Sequence, residues 1–156
     1  MMRAITLLLL ISPLSFAGDN STTIITKGTN NQITTKQIGN GNTTYILCGA
    51  NSGGTITGAS YSSHSCTNAV WSSTVEGNSN TVKMYTVWSN NIGNSSTVTI
   101  DGNDNYAYID QDEDDNTVTV TQTGNDNHSE SLGSGDDNVY STTQTGNNKY
   151  SKILTN

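Results

Sequence analysis

Few residues in this chain have the types and spacing to do chemistry. The two cysteines, Cys48 and Cys66, are an even pair, and with His64 between them they offer three possible metal donors. Structural zinc takes four ligands, so a disulfide is the better reading, and it implies an oxidising compartment. The run Asp110-Gln-Asp-Glu-Asp-Asp115 has the oxygen chemistry of a calcium ligand set. The Gly-rich nonapeptide of calcium-binding coils is missing, so a solvated acidic turn is favoured there. His64 and His128 have no Ser, Cys or acid placed recognisably beside them, and no pair of carboxylates reads as a glycosidase site. Both histidines are expected at the surface. Trp71 and Trp88 are expected at the edge of an insertion. No enzyme, no metal site and no cofactor is expected.

The elements that must position these residues come from a repeat. Glycines fall at 124, 135 and 146, eleven residues apart. The same frame runs upstream through 111–116, 100–105 and 89–94. It slips by three residues around 85–88, continues at 75–80, and returns near the N-terminus at 26–31 and 37–42. Each unit is a four-residue turn followed by seven residues that alternate. Asn116-Thr-Val118-Thr-Val120-Thr-Gln122 sets Asn, Val, Val and Gln against three threonines. Asn105-Tyr-Ala107-Tyr-Ile109-Asp-Gln111 does the same with Asn, Ala, Ile and Gln. Period two with β-branched residues predicts strands, and the constant unit length predicts an all-β solenoid with two strands, about 22 residues, per rung.

The turns rest on Gly28, Gly39, Gly77, Gly102, Gly124, Gly135 and Gly146, which tolerate left-handed backbone. Glu113 stands where a glycine is expected. Stacked rungs would set Asn31, Asn42, Asn105, Asn116 and Asn127, and Gln37, Gln111, Gln122 and Gln144, on their own kind. Buried amides then form ladders rather than standing unpaired. Residues 49–74 keep the frame poorly and read as an insertion bracketed by the cysteines.

Residues 1–17 read as a secretory signal: Arg3, a short apolar run, then Ser15-Phe16-Ala17. Residues 18–156 would be the mature repeat domain, with no further run long enough to span a membrane. The net charge is −7, or −8 once Arg3 is removed, with 13 acids against 5 lysines. That balance excludes nucleic acid as a partner. Hydrophobic residues make up 31% of the chain, too few for an ordinary globular core.

The frame Gln-x-Gly-x-x-Asn-x-Ala-x-x-x-Gln resembles the curlin repeat. Its matches here are 37–42, 122–127, 144–146 and the half-motif 105–111. The resemblance implies a subunit of curli, the extracellular amyloid fibres of Gram-negative bacteria. Such a subunit is exported through an outer-membrane secretion channel, assembles with itself or another curlin, and supports adhesion and biofilm cohesion. The Asn-x-Ala-Tyr-Ile-Asp-Gln unit and the final unit with Lys149 and Lys152 are similar to the minor, nucleating curlin. Cysteines and an insertion depart from the family pattern. The alternative reading is a monomeric secreted solenoid adhesin that binds through 49–74. A third, ice binding, would need a continuous threonine row. Outward residues read Thr-Thr-Thr over 117–121, Tyr-Tyr-Asp over 106–110 and Val-Ser-Thr over 139–143, so no such row is expected.

Overall fold

The seven-residue segments alternate because one side faces a core and the other faces water. In the computed structural model, which describes residues 8–11, 18–26, 28–48, 66–86 and 91–155, they are strands, and no helix occurs among these residues. Six strands form one parallel sheet in the order β1 (Leu8–Ile11), β4 (Gln32–Ile38), β7 (Val70–Glu76), β10 (Ser95–Asp101), β12 (Thr117–Thr123), β14 (Val139–Thr145). Six more form a second parallel sheet: β2 (Ser21–Thr26), β5 (Thr43–Cys48), β8 (Thr81–Thr86), β11 (Tyr106–Gln111), β13 (His128–Gly133), β15 (Tyr150–Thr155). Three two-residue strands, β3 (Gly28–Thr29), β6 (Cys66–Thr67) and β9 (Asn91–Ile92), line one corner. The chain runs out along one sheet and back along the other, so the fold is a β-solenoid of about five turns. Where the frame is uninterrupted, partners lie 22 residues apart, as in Thr117↔Val139 and Tyr106↔His128.

The core is the strip between the sheets. Val118, Val120, Ala107, Ile109, Val98, Ile100, Val82, Met84 and Ile46 are at most 1% exposed. Asn105, Gln111, Asn116 and Gln122 are buried with them, as the alternation predicts. Trp71 is also in this strip, 1% exposed. That corrects its expected place at the edge of an insertion: Val70–Glu76 is a strand in register with both β4 and β10. The repeat resumes at Cys66, so the irregular stretch is shorter at its C-terminal end than 49–74; residues 49–65, with His64, lie outside the described residues. Tyr85 and Thr86 belong to a regular strand, paired with Leu47 and Cys48. The three-residue slip therefore falls after Thr86, and Trp88 lies outside the described residues.

Because successive units enter opposite sheets, their outward faces separate by type. One face carries Thr74, Thr99, Thr121 and Thr143 in direct register, with Ser72, Thr97, Thr119 and Ser141 beside them. This is the threonine sheet. A continuous threonine row does form, contrary to the expectation above, which compared units that belong to different sheets. The other sheet, the tyrosine sheet, presents Tyr45, Tyr85, Tyr106, Tyr108 and Tyr150.

Candidate assembly interface

The two corners of the coil hold the expected asparagines and glycines. The first corner, at 39–42, 77–80, 102–105, 124–127 and 146–149, leads from the threonine sheet to the tyrosine sheet. Its leading glycines have φ between 105° and 141° (Gly39, Gly77, Gly102, Gly124, Gly146), a region that side chains rarely enter. A Cβ at Gly124 would also collide with the carbonyl oxygen of Gly146 in the next rung. The third residue of each turn is left-handed as well, from Asp104 at 55° to Gly41 at 65°.

The last residue of each first-corner turn builds an unbroken column: Asn20, Asn42, Asn80, Asn105, Asn127, Lys149. The backbone N–H groups of Asn42, Asn80, Asn105, Asn127 and Lys149 each donate to the Asn Oδ1 one rung before, at 2.9–3.1 Å. Each Asn Nδ2 in turn donates to the corner carbonyl of the following rung (Gly39, Gly77, Gly102, Gly124, Gly146) at 2.7–2.8 Å. The buried amides are satisfied mainly by backbone, with side-chain contacts added at Asn80–Asn42 and Asn105–Asn80.

A second column on the same corner was not anticipated from the sequence. The N–H groups of Asn40, Asn78, Asn103 and Asn125 donate forward to Oδ1 of Asn78, Asn103, Asn125 and Asn147, at 2.9–3.0 Å. Its signal was present: Asn follows Gly in every one of these turns. The two columns point in opposite directions along the coil, so both halves of the turn are tied to their neighbours.

The second corner is at 28–31, 66–69, 91–94, 113–116 and 135–138. Its column reads Asn31, Ala69, Asn94, Asn116, Asn138. Ala69 N–H donates to Asn31 Oδ1, but its methyl has no oxygen to offer onward to Asn94. The column restarts at Asn94, whose Oδ1 accepts from Asn116, and Asn116 accepts from Asn138. Gly28 and Gly135 lead two of these turns with positive φ, and Glu113 takes the same place at 72°. The acidic run is divided: Asp110 is on β11, and Asp114 Oδ1 accepts the Ile92 N–H in an outer column of this corner. Burial raises the Asp110 carboxyl, and Tyr108, which donates to it at 3.1 Å, is raised by its own burial and by that carboxylate. Among the described residues no three His, Cys, Asp or Glu side chains stand together as metal ligands.

Cys48 and Cys66 are joined in a disulfide with both residues fully buried and Cα atoms 5.5 Å apart. The bond ties the end of β5 to the second corner, and Cys66 Sγ lies 2.9 Å from the Thr86 hydroxyl.

The glutamines act differently from the asparagines. Gln37, Gln111, Gln122 and Gln144 each send Nε2 across the core to the carbonyl of a residue 16 positions earlier, at the start of the preceding strand: Ser21, Ser95, Tyr106 and His128. Only Gln122 and Gln144 also stack, Nε2 to Oε1 at 2.9 Å. The expected common glutamine ladder is corrected on this point. Gln111 lies in the opposite sheet, and Val75 and Ile100 fill the places between Gln37 and Gln122.

On the outward tyrosine face, His128 lies between the rings of Tyr106 and Tyr150, with centroids 4.7 and 5.2 Å away. Glu130 accepts from Lys152 and contacts His128, each at 3.0 Å, and those bonds hold its carboxyl below the usual range. Lys152 is thus engaged on the face and does not block the strand edge.

At the two ends of the coil the stack is open. β14 and β15 are the terminal members of their sheets, and Val139, Tyr150 and Leu154 are 78%, 63% and 64% exposed. At the other end β2 is the terminal strand of the tyrosine sheet, and β1 lies on the edge of β4. No protein family, curated protein or solved structure matches the chain.

Proposed function

We propose that this chain is a secreted structural subunit, or the nucleator, of curli-like extracellular amyloid fibres that support adhesion and biofilm matrix. The observation that carries the reading is the geometry of the ends. Every rung satisfies its backbone through an equivalent rung, and the last strands leave their outer N–H and C=O groups without such a neighbour. Globular proteins cover or charge such edges. Here the terminal strands carry no proline, and a further copy would continue the same parallel stack at about 4.8 Å per strand. The buried disulfide accords with an oxidising, extracellular setting. The curlin-like frame supports a family of partners made of the chain itself or a related subunit, exported through an outer-membrane channel.

The test is assembly of the processed chain, residues 18–156, followed by sedimentation and light scattering over a range of concentrations. Growth that accelerates with concentration and with added seeds is expected. Replacing Gln122 and Gln144 together by Ala should slow it, because the last two rungs each lose a cross-core bond and the Gln122–Gln144 contact between them is lost. A chain that stays monomeric at all concentrations, with or without seeds, would overturn the reading.

A further inference from the structure

The two sheets do not end evenly, and this has consequences for how copies join. Without β1, the threonine sheet has five strands and the tyrosine sheet six. The first strand of the coil, β2, and the last, β15, both lie in the tyrosine sheet. The coil from Ser21 to Thr155 therefore spans a half-integral number of rungs. Straight stacking of one copy on the next would place β2 on β15 and leave a gap one strand wide between β14 and the next β4.

Resting on the assembly reading, we propose that successive copies join with a half turn about the coil axis, so that β2 of the incoming copy pairs with β14 and its β4 pairs with β15. Strands in the two sheets run in opposite directions across the coil. A half turn exchanges both the place and the direction of each strand, so every junction pair remains parallel and no strand is missing.

Three observations favour this partner geometry. The first is hydrogen bonding at the corners. The first-corner column ends in Lys149, whose side chain offers only donors. The second-corner column ends in Asn138, whose Oδ1 has no further rung above it. With the half turn, Asn20 of the incoming copy lies over Asn138 rather than Lys149. The Asn20 N–H, which now bonds locally to the Gly18 carbonyl at 2.7 Å, gains the acceptor that every later Asn of the first-corner column uses.

The second observation is side-chain register. Aligning Asn20 with Asn138 sets the inward Thr22, Ile24 and Thr26 over the inward Tyr140, Thr142 and Gln144. The same step sets Ile33, Thr35 and Gln37 over Ser151, Ile153 and Thr155. Inward residues meet inward residues at every position, which a one-residue slip would reverse. The third observation is that the edge of β4 already accepts a parallel strand. In the unprocessed chain Leu8–Ile11 pairs with Gln32–Thr35, on the edge where β15 of another copy would lie. Removal of residues 1–17 would free it.

Cysteine cross-linking in fibres of the processed chain tests the geometry. Neighbouring strands at about 4.8 Å are within the Cα range of a disulfide. The half turn places Thr23 beside Ser141 and Thr34 beside Lys152, all outward and exposed. Mixed fibres of T23C with S141C, and of T34C with K152C, should give disulfide-linked dimers on oxidation. Mixed fibres of T23C with K152C should give none above the level of either variant alone. Dimers from the last mixture only, or from none of the three, would overturn the half turn. Helical reconstruction of unsubstituted fibres reads the same quantity without any variant. A rotation near a half turn per subunit is expected, and a rotation near zero would contradict it. Failure of the unsubstituted chain to form fibres would instead overturn the assembly reading on which this one rests.

Discussion

The two corners of this coil bear the same geometric load with different chemistry. The first corner repeats Gly-Asn-x-Asn almost without change and carries two hydrogen-bonded asparagine columns that run in opposite directions. The second replaces Asn by Ala69, Gly by Glu113, and one turn opening by the disulfide-bonded Cys66. Both departures from the regular spacing, between Cys48 and Cys66 and between Thr86 and Asn91, lead into this second corner. The difference teaches that one regular corner is enough to hold rungs in register, which leaves the other free to accept insertions. It also explains why the covalent staple is at the second corner, where the asparagine column is broken.

If that contrast is right, substitutions at the first corner should cost most. Gly124→Ala combines a disfavoured φ of 111° with a collision against the Gly146 carbonyl. A loss of about 4 kcal/mol is expected from strain and overpacking together, read by denaturant unfolding. Asn105→Ala removes the acceptor of the Asn127 N–H and the donor to the Gly124 carbonyl. Two buried groups left unpaired should cost about 3 kcal/mol in the same measurement. The matching change at the second corner, Asn94→Ala, removes the acceptor of the Asn116 N–H and the donor to the Glu113 carbonyl, but no amide–amide bond of the kind Asn105 makes to Asn80, and should cost less.

Reduction of Cys48–Cys66 addresses the second corner directly. The chain-entropy estimate for a separation of 18 residues is about 3 kcal/mol. Thermal unfolding with and without reductant should show a loss of that order. The smallest effects sharpen the contrast by repair. Ala69→Asn would restore an acceptor for Asn94 and should stabilise by about 1 kcal/mol. Glu113→Gly would relieve a left-handed side-chain-bearing residue and should stabilise by a similar amount, about 1 kcal/mol. Were repair at Ala69 to do nothing while Asn105→Ala proved harmless, the asparagine columns would not be what holds the rungs.

Much of this was legible in the sequence, and the misses have physical causes. Alternation over 105–111 and 116–122 gave the strands and their buried faces, because each inward residue is apolar or an amide with a fixed partner. The glycine spacing gave the corners. What the eleven-residue frame concealed is that neighbouring units occupy opposite sheets. Gln111 and Gln122 are adjacent in the repeat but never stack, and the threonine row from Thr74 to Thr143 becomes visible only when every second unit is compared. Trp71 was misplaced because 66–74 lacks the Gly-Asn signature, although its strand pairs along its whole length with β4 and β10. The outer column through Asn103 and Asn125 was overlooked because an exposed Asn after Gly reads as an ordinary turn residue.

Fibre diffraction on the oxidised, processed chain after quiescent incubation tests the central claim most directly. The account predicts a reflection near 4.7–4.8 Å along the fibre axis and another near 10 Å across it, from the stacked strands and the spacing of the two sheets. A solution that yields only soluble monomer, or fibres without the axial reflection, would contradict it.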